Sequence, residues 1–228
     1  MDRMQTANIK AVILDYGEVL SYPPTVEHWD RMATIFNVDA GSFRQLWGRN
    51  RSFYDRGDVS YEAYWSEIAE STNTKLQPEH LKVLSPWDVE MWARLNPLMV
   101  EWGGQVGSSG LKTGLLSNMP HDMISYARQN FAWLSRFDHK TFSAEERLIK
   151  PDPAIYQHSL DGLGVAASEA LFVDDRESNI EGARALGIKA IRFQSVAQLK
   201  NDLERLGFPV LPADSQLSSE ASQVSVAD

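Results

Sequence analysis

The chain has 228 residues, 43% of them hydrophobic, and a formal net charge of −9 at pH 7. This length predicts one core of ordinary size with a smaller accessory unit, and the acidic balance argues against nucleic-acid or anionic-membrane partners. The absence of cysteine excludes disulfides and thiolate metal ligands. Because the chain shows no secretory signal and no apolar run near the ~20 residues of a membrane span, we expect a soluble, cytoplasmic protein.

The first predicted element is the apolar run "AVILD" at residues 11–15, which ends on an acid. A run without polar alternation is typical of a parallel strand that helices cover on both faces. A helical block at residues 22–95 follows and contains five of the seven tryptophans. Its apolar residues recur at helical spacing. The two clearest apolar faces comprise Trp29, Met32, Ala33 and Phe36, and Tyr61, Tyr64, Trp65, Ile68 and Ala69.

Strand-like runs alternate with helical segments over residues 96–208, which predicts a doubly wound α/β domain. Ile180, Ala183 and Leu186 share a helix face, and Gly187 stands where a glycine commonly ends a helix. The strand-like runs lie at residues 113–118, 137–142, 171–175 and 189–193.

The predicted organisation is therefore a core made of residues 1–21 and 96–208, interrupted by a helical insertion at residues 22–95. The last segment, residues 209–228, is small, polar and without periodicity. Such a composition cannot bury enough apolar surface to offset the entropy of ordering, so we expect a disordered tail.

Polar residues stand where the predicted strands end. Asp15 ends the first strand, Ser117 and Asn118 end the second, and Asp174 and Asp175 end the strand "LFVDD". Because active crevices of open α/β sheets lie beyond the carboxyl ends of the strands, we expect these side chains to converge.

Lys150 lies in the loop "RLIKPDPAIY" and is expected at the same edge. Three carboxylates there repel one another, so either their pKa values rise or a cation lies among them. Oxygen ligands alone favour Mg²⁺. A carboxylate nucleophile, a metal, a lysine and a hydroxyl donor are suited to phosphoryl transfer.

Each of these residues alone has a simpler interpretation. The acids and the Ser117-Asn118 pair can close a strand or cap a helix, and Lys150 can be a surface lysine. Their joint occurrence, in this order and at strand ends, favours a functional site.

In that order, the motifs "ILDYGEVL", "LLSN", "IKPDPAIYQHSL" and "LFVDDRESNIEGARALGI" resemble the four signature motifs of the haloacid dehalogenase-like hydrolase superfamily. The long third and fourth motifs most resemble the branch of sugar-phosphate phosphatases and of the phosphatase domain of epoxide hydrolases. The resemblance implies a Rossmann-like core with a small helical cap over the site, the cap being residues 22–95.

The resemblance also implies roles for single residues. Asp15 matches the nucleophile that forms an aspartyl-phosphate, and Ser117 matches the hydroxyl that binds the transferring phosphoryl group. The backbone N–H of Asn118 lies beside that hydroxyl in the family's pattern. Lys150 matches the lysine that steadies the nucleophile and the phosphoryl charge.

The implied metal is Mg²⁺, bound by Asp15, the backbone carbonyl of Gly17, and the acidic pair Asp174 and Asp175. Asp175 is the better candidate for direct contact, and Asn179 is expected to support the site from behind.

The sequence departs from the commonest family pattern at Gly17, where most of the phosphatases carry an aspartate that acts as general acid and base. Glycine keeps the carbonyl and removes the acid, whose help is typically worth ~10²–10⁴-fold. Members of the sugar-phosphate branch also carry glycine there. The candidate substitutes are the side chains of Glu18, Tyr22 and His28, and a metal-ordered water.

The leading hypothesis is a Mg²⁺-dependent phosphatase for a small phosphorylated metabolite. Loss of the acid at Gly17 favours a second reading, a catalytically weak binding or regulatory protein. A third is a 2-haloacid dehalogenase, which the acidic pair Asp174 and Asp175 argues against. The sequence specifies neither the substrate nor the oligomeric state, although Trp29 and Trp47 are candidates to line the substrate pocket.

Overall fold

The computed structural model of the chain describes residues 8–213. The strands are β1 (Ala11–Leu14), β2 (Lys112–Ser117), β3 (His139–Phe142), β4 (Ala170–Asp174) and β5 (Lys189–Arg192). The helices of the first half are α1 (Val26–Ile35), α2 (Ala40–Arg49), α3 (Arg51–Asp55), α4 (Tyr61–Ser71), α5 (Pro78–Glu90) and α6 (Pro97–Ser108). Those of the second half are α7 (His121–Asn130), α8 (Ser143–Glu146), α9 (Pro153–Leu163), α10 (Glu177–Ala185) and α11 (Val196–Arg205). Short 3₁₀ turns lie at Ala132–Arg136 and Ala167–Glu169.

The five strands form one parallel sheet in the order β3-β2-β1-β4-β5. In the register, Leu14 of β1 lies beside Leu115 of β2 and Val173 of β4. The carboxyl ends of β1, β2 and β4 are therefore neighbours at one edge of the sheet. The predicted α/β class and all five predicted strands are confirmed.

Helices cover both faces of the sheet, as the uninterrupted apolar strands predict. Val12 and Leu14 pack on one side with residues of α6, α7 and α11. Ala11 and Ile13 pack on the other side with residues of α9 and α10. Gly187 follows α10 with a φ of +86°, which is the left-handed conformation expected of a glycine that ends a helix.

Helices α1–α5 bury their apolar faces against one another in a separate cluster. Both predicted apolar faces contribute to it, through Trp29 and Phe36 from α1 and its C-terminal end and through Trp65 and Ile68 from α4. Ser21 and Leu95 form an isolated antiparallel bridge where the chain leaves and re-enters the core. We call residues 22–95 the cap; the division of the chain into core and cap domains stays a prediction.

The predicted tail falls mostly on residues 214–228, which lie outside the described residues. Its first part is packed, because Trp102 Nε1 donates a hydrogen bond to the carbonyl of Val210 (3.1 Å) and Leu211 contacts the core. Within residues 8–213, no helix is long and apolar enough to cross a membrane.

Candidate active site

A buried lysine joins the three central strands at the carboxyl edge of the sheet. The Nζ of Lys150 lies 2.7 Å from Asp15 Oδ1 at the end of β1 and 2.7 Å from Asp174 Oδ2 at the end of β4. It also donates to the carbonyl of Leu116 in β2 at 2.9 Å. Its side chain is 1% exposed. The predicted convergence of Asp15, Lys150 and Asp174 is thus present in the structure.

Three carboxylates meet beside this lysine, since one oxygen from each of Asp15, Asp174 and Asp175 lies within 4.8 Å of the others. Burial raises the pKa of Asp15 to about 7; Lys150 opposes that rise and the other two acids add to it. Burial also raises the pKa of Asp175 to about 6, with Asp174 and Glu18 contributing. One ammonium therefore faces three acids, and the edge is short of positive charge.

The two consecutive acids have different surroundings. Asp174 is fully buried and accepts hydrogen bonds from the backbone N–H of Arg176 (2.8 Å) and from Asn179 Nδ2 (3.0 Å to each oxygen), besides the ammonium of Lys150. Asp175 lines the cavity above the edge. Asn179 supports Asp174 from behind, where the sequence placed it.

Ser117 and Asn118 both line the same cavity. The side chain of Asn118 binds the backbone of Lys150 twice: its Nδ2 donates to the carbonyl at 3.0 Å, and its Oδ1 accepts from the N–H at 2.9 Å. Helix α7 begins at His121 with Pro120 as its N-cap, so the alternative in which Ser117 or Asn118 caps this helix is wrong.

Gly17 and Glu18 line the cavity beside Asp15. The left-handed residue of this turn is Glu18, with a φ of +57°, and not Gly17. A Cβ added at Gly17 would lie 3.6 Å from the ring of Trp92, which is ordinary contact. The backbone here does not require glycine, and the small residue instead leaves room between the core and Trp92.

The three side chains that are candidates to replace the missing acid lie in different places. Glu18 lines the cavity, whereas Tyr22 and His28 do not. Tyr22 is 37% exposed and lies beneath the guanidinium of Arg94. His28 accepts a hydrogen bond from the backbone N–H of Thr25 at the start of α1 (3.0 Å). Its role there is structural.

The cavity measures about 630 Å³ including its mouth and lies between the sheet edge and the cap. We call its core side the core wall, formed by Asp15, Ser117, Asn118, Lys150 and Asp175. The opposite side, the cap wall, is formed by Trp47, Arg51, Asp55 and Trp92. Of the two tryptophans predicted as pocket residues, Trp47 lines the cavity and Trp29 packs edge-on behind it.

Two carboxylates share one guanidinium in the cap wall. Arg51 Nη1 donates to both oxygens of Asp88 (2.9 and 2.8 Å), and its Nε donates to Asp55 Oδ1 (2.8 Å). Trp47 Nε1 adds a bond to Asp88 at 2.7 Å. Sequence reasoning missed Arg51 and Asp55; their i, i+4 spacing indicates an ion pair on one helix and does not indicate that it faces a cavity.

Asp55 also connects the cap to the core through its backbone. The hydroxyl of Ser143, at the start of α8, donates to the carbonyl of Asp55 and accepts from the backbone N–H of Met119 at 2.8 Å. Met119 directly follows Asn118. The cap helix α3 is therefore hydrogen-bonded through Ser143 to the loop that carries Asn118 of the core wall.

The family model of the haloacid dehalogenase-like hydrolases matches residues 9–187. The chain belongs to this family. That match spans the sheet edge and the whole of residues 22–95.

Curated relatives include both phosphatases and dehalogenases. Mouse acyl-CoA dehydrogenase family member 10 is 38% identical over 117 residues, half of this chain and 11% of that protein. The sesquiterpene phosphatase astK of Aspergillus oryzae is 33% identical over 102 residues, 44% of this chain and 50% of the phosphatase. The (S)-2-haloacid dehalogenase 4A of Burkholderia cepacia is 27% identical over 196 residues, 82% of this chain and 83% of the dehalogenase. This chain spans half or less of the full length of the first two of these relatives.

Among solved structures, a haloacid dehalogenase family enzyme of Bacteroides thetaiotaomicron superposes with a TM-score of 0.67 at 18% identity. The match covers 82% of this chain and 94% of the other, and that protein was crystallised with magnesium and inorganic phosphate. At this identity the similarity establishes the fold.

Proposed function

We propose that the protein is a Mg²⁺-dependent phosphatase that hydrolyses a small phosphorylated metabolite through an aspartyl-phosphate on Asp15. The observation that carries the proposal is the cluster of Asp15, Asp174 and Asp175 around one buried ammonium, that of Lys150. Because carboxylates outnumber cations at this edge of the sheet, it favours binding of a positively charged group, or of a metal ion together with a phosphoryl group.

The residues fit a magnesium ion. Their donors are oxygens, which Mg²⁺ prefers, and three carboxylates against one lysine leave a formal charge of −2. Asp15 and Asp175 would hold the ion together with the carbonyl of Gly17, while Asp174 would serve mainly by holding Lys150 and Asn179. When bound, Mg²⁺ supplies positive charge to the phosphoryl oxygens and balances the acids.

The chain's own residues account for positioning. Lys150 fixes one oxygen of Asp15 and leaves the other for attack on phosphorus. Ser117 and the backbone N–H of Asn118 would bind the phosphoryl oxygens from the second strand. Asn118 in turn holds the Lys150 loop, so nucleophile, lysine and donors are one hydrogen-bonded unit. Positioning of this kind supplies much of the catalysis in phosphoryl transfer.

The experiment is a panel of phosphate esters assayed with and without Mg²⁺. We expect release of inorganic phosphate that a chelator abolishes and that Asp15→Asn lowers by at least about 10³-fold, since removal of a nucleophile removes the covalent route. Asp161→Asn, an exposed change on α9, is the matched control. Equal release from the wild type and Asp15→Asn would contradict the proposal.

The dehalogenase of Burkholderia cepacia, which aligns over most of both chains, favours a second candidate, hydrolysis of a 2-haloacid by Asp15. The same panel includes such acids with halide detection. Halide release that a chelator leaves unchanged would support this candidate. Tight ligand binding without turnover of any compound would instead support the binding or regulatory reading based on Gly17.

A further inference from the structure

A carboxyl group of the cap wall is suited to supply the proton that the reaction requires. When an ester of an alcohol is cleaved, its oxygen leaves as a strong base unless a proton reaches it in the transition state. In an in-line displacement, this oxygen lies on the side of phosphorus away from Asp15. That side of the cavity is the cap wall.

Most titratable groups that line the cavity are committed elsewhere. Arg51 and Arg176 keep their protons at any physiological pH. Lys150 is bound to two carboxylates and a carbonyl, and the hydroxyl of Tyr16 donates to the carbonyl of Trp92 at 2.6 Å. Asp15 and Asp175 belong to the proposed nucleophile and metal site. Glu18 and Asp55 remain.

The sharing of Arg51 distinguishes Asp55 from its neighbour Asp88. Asp88 accepts three hydrogen bonds, two from Arg51 and one from Trp47. Asp55 receives one from Arg51, and within residues 8–213 its Oδ2 has no hydrogen-bond partner. Two buried acids with one cation leave one acid that takes up a proton readily, and the less strongly bound acid is Asp55.

We propose that Asp55 is the general acid and base of this site: its carboxyl protonates the leaving oxygen and its carboxylate then activates the hydrolytic water. The proposal rests on the phosphatase function proposed above. In the first step an oxygen of Asp15 bonds to phosphorus, the bond from phosphorus to the leaving oxygen breaks, and that oxygen takes the proton of Asp55. In the second step water bonds to phosphorus, its proton passes to Asp55, and the bond to Asp15 breaks, which releases phosphate.

The position of Asp55 is fixed from both sides. Arg51 holds its Oδ1, and Ser143 holds its backbone carbonyl above the loop of Met119. The carboxyl of Glu18, in contrast, has no hydrogen-bond partner among the described residues, and it lies near Asp175, where its charge adds to that of the metal site. Burial, with Asp88 adding to it and Arg51 and Arg176 opposing it, raises the pKa of Asp55 to about 6, close to the working range of an acid–base catalyst.

The test compares two substrates in each enzyme preparation: an alkyl phosphate, whose leaving oxygen needs a proton, and p-nitrophenyl phosphate, whose leaving oxygen does not. The measured quantity is the ratio of kcat/KM for the two. Each kcat/KM value reports phosphoryl transfer to Asp15. Their ratio does not depend on the folded fraction of a variant, because both values come from one sample. Asp55→Asn is expected to lower kcat/KM for the alkyl phosphate by about 10²–10⁴-fold and for the aryl phosphate by less than about tenfold.

The matched control is Asp58→Asn, which also removes a carboxylate of the cap from its arginine, here Arg56, but does not line the cavity or contact Arg51. It should change both substrates alike and keep the wild-type ratio. A wild-type ratio in Asp55→Asn, or a shifted ratio in Glu18→Gln with none in Asp55→Asn, would overturn the proposal while the phosphatase function stood. If the wild type releases no phosphate from either ester, the phosphatase function fails and this proposal fails with it.

Discussion

The two walls of the cavity differ in how completely their acids are paired with cations. The core wall and Asp174 behind it place three carboxylates around one ammonium and leave that edge open to a cation. The cap wall places two carboxylates around one guanidinium, adds an indole N–H, and surrounds them with aromatic rings, with Arg51 4.2 Å from the ring centroid of Trp47. The core wall with Asp174 has two more acids than cations and is suited to bind a metal ion, whereas the cap wall with Asp88 has one more acid than cations and is held together by its own hydrogen bonds.

The largest effect is expected at the lysine of the core wall. Lys150→Met leaves buried carboxylates without their cation, which should lower the free energy of unfolding by about 3–5 kcal/mol in urea denaturation. Millimolar Mg²⁺ should restore part of the loss, because it supplies the missing charge. Lys189→Met, at a lysine with a single long hydrogen bond (3.3 Å) to a carbonyl, should stay within about 0.5 kcal/mol of the wild type.

The corresponding change in the cap wall sharpens the contrast. Arg51→Met should cost a similar amount, about 3–5 kcal/mol, since Asp55 and Asp88 lose a shared partner. Here Mg²⁺ should restore nothing in the same titration. Equal rescue of both variants would show that the two walls do not differ as described.

A smaller effect on the unfolding free energy is expected at Ser143, which connects the cap wall to the core wall. Ser143→Ala leaves the N–H of Met119 without its partner and releases the carbonyl of Asp55, a loss of about 1–3 kcal/mol by chemical denaturation. Ser159→Ala is the matched control, because Ser159 is equally buried and its hydroxyl has no hydrogen-bond partner within the described part of the chain. Equal losses of unfolding free energy in the two serine variants would mean that the hydrogen bonds of Ser143 between cap and core contribute nothing to stability.

The smallest effect is expected at Gly17. Its φ is not left-handed and an added methyl meets Trp92 at 3.6 Å, so Gly17→Ala should change the unfolding free energy by less than about 1 kcal/mol. A loss above about 2 kcal/mol would mean that the turn requires glycine after all. Glu18→Gly, which removes the Cβ from the left-handed position, serves as the comparison and should not destabilise the turn.

The fold and the core wall were predictable because their signals are local. Apolar runs that end on acids place Asp15 and Asp174 at neighbouring strand ends in any parallel sheet that pairs those strands. It was harder to predict which of the two consecutive acids, Asp174 or Asp175, faces the cavity. Successive side chains of a strand point to opposite sides, so the assignment of Asp175 to the cavity requires knowing which side the cap covers.

The cap wall could not be predicted in the same way. Arg51, Asp55 and Asp88 come together because α3 and α5 pack in one cluster, and Asp55 reaches the cavity because Ser143 holds α3 against the core. Neither contact produces a periodic pattern in the sequence from which it could be predicted. The tryptophan-rich faces predicted a packed cap, but not which of its polar groups would turn towards the sheet.

The lysine that joins the three central strands has a consequence for binding and stability together. The groups around it come from residues 15, 116 and 174, which are distant in the chain and meet only when the sheet is assembled. A metal ion or a phosphate that binds at this edge therefore binds the native state and not the unfolded chain. At a free concentration 100 times its Kd, such a ligand adds about 2.7 kcal/mol to the unfolding free energy, so a melting curve reports occupancy of this edge before any substrate is known.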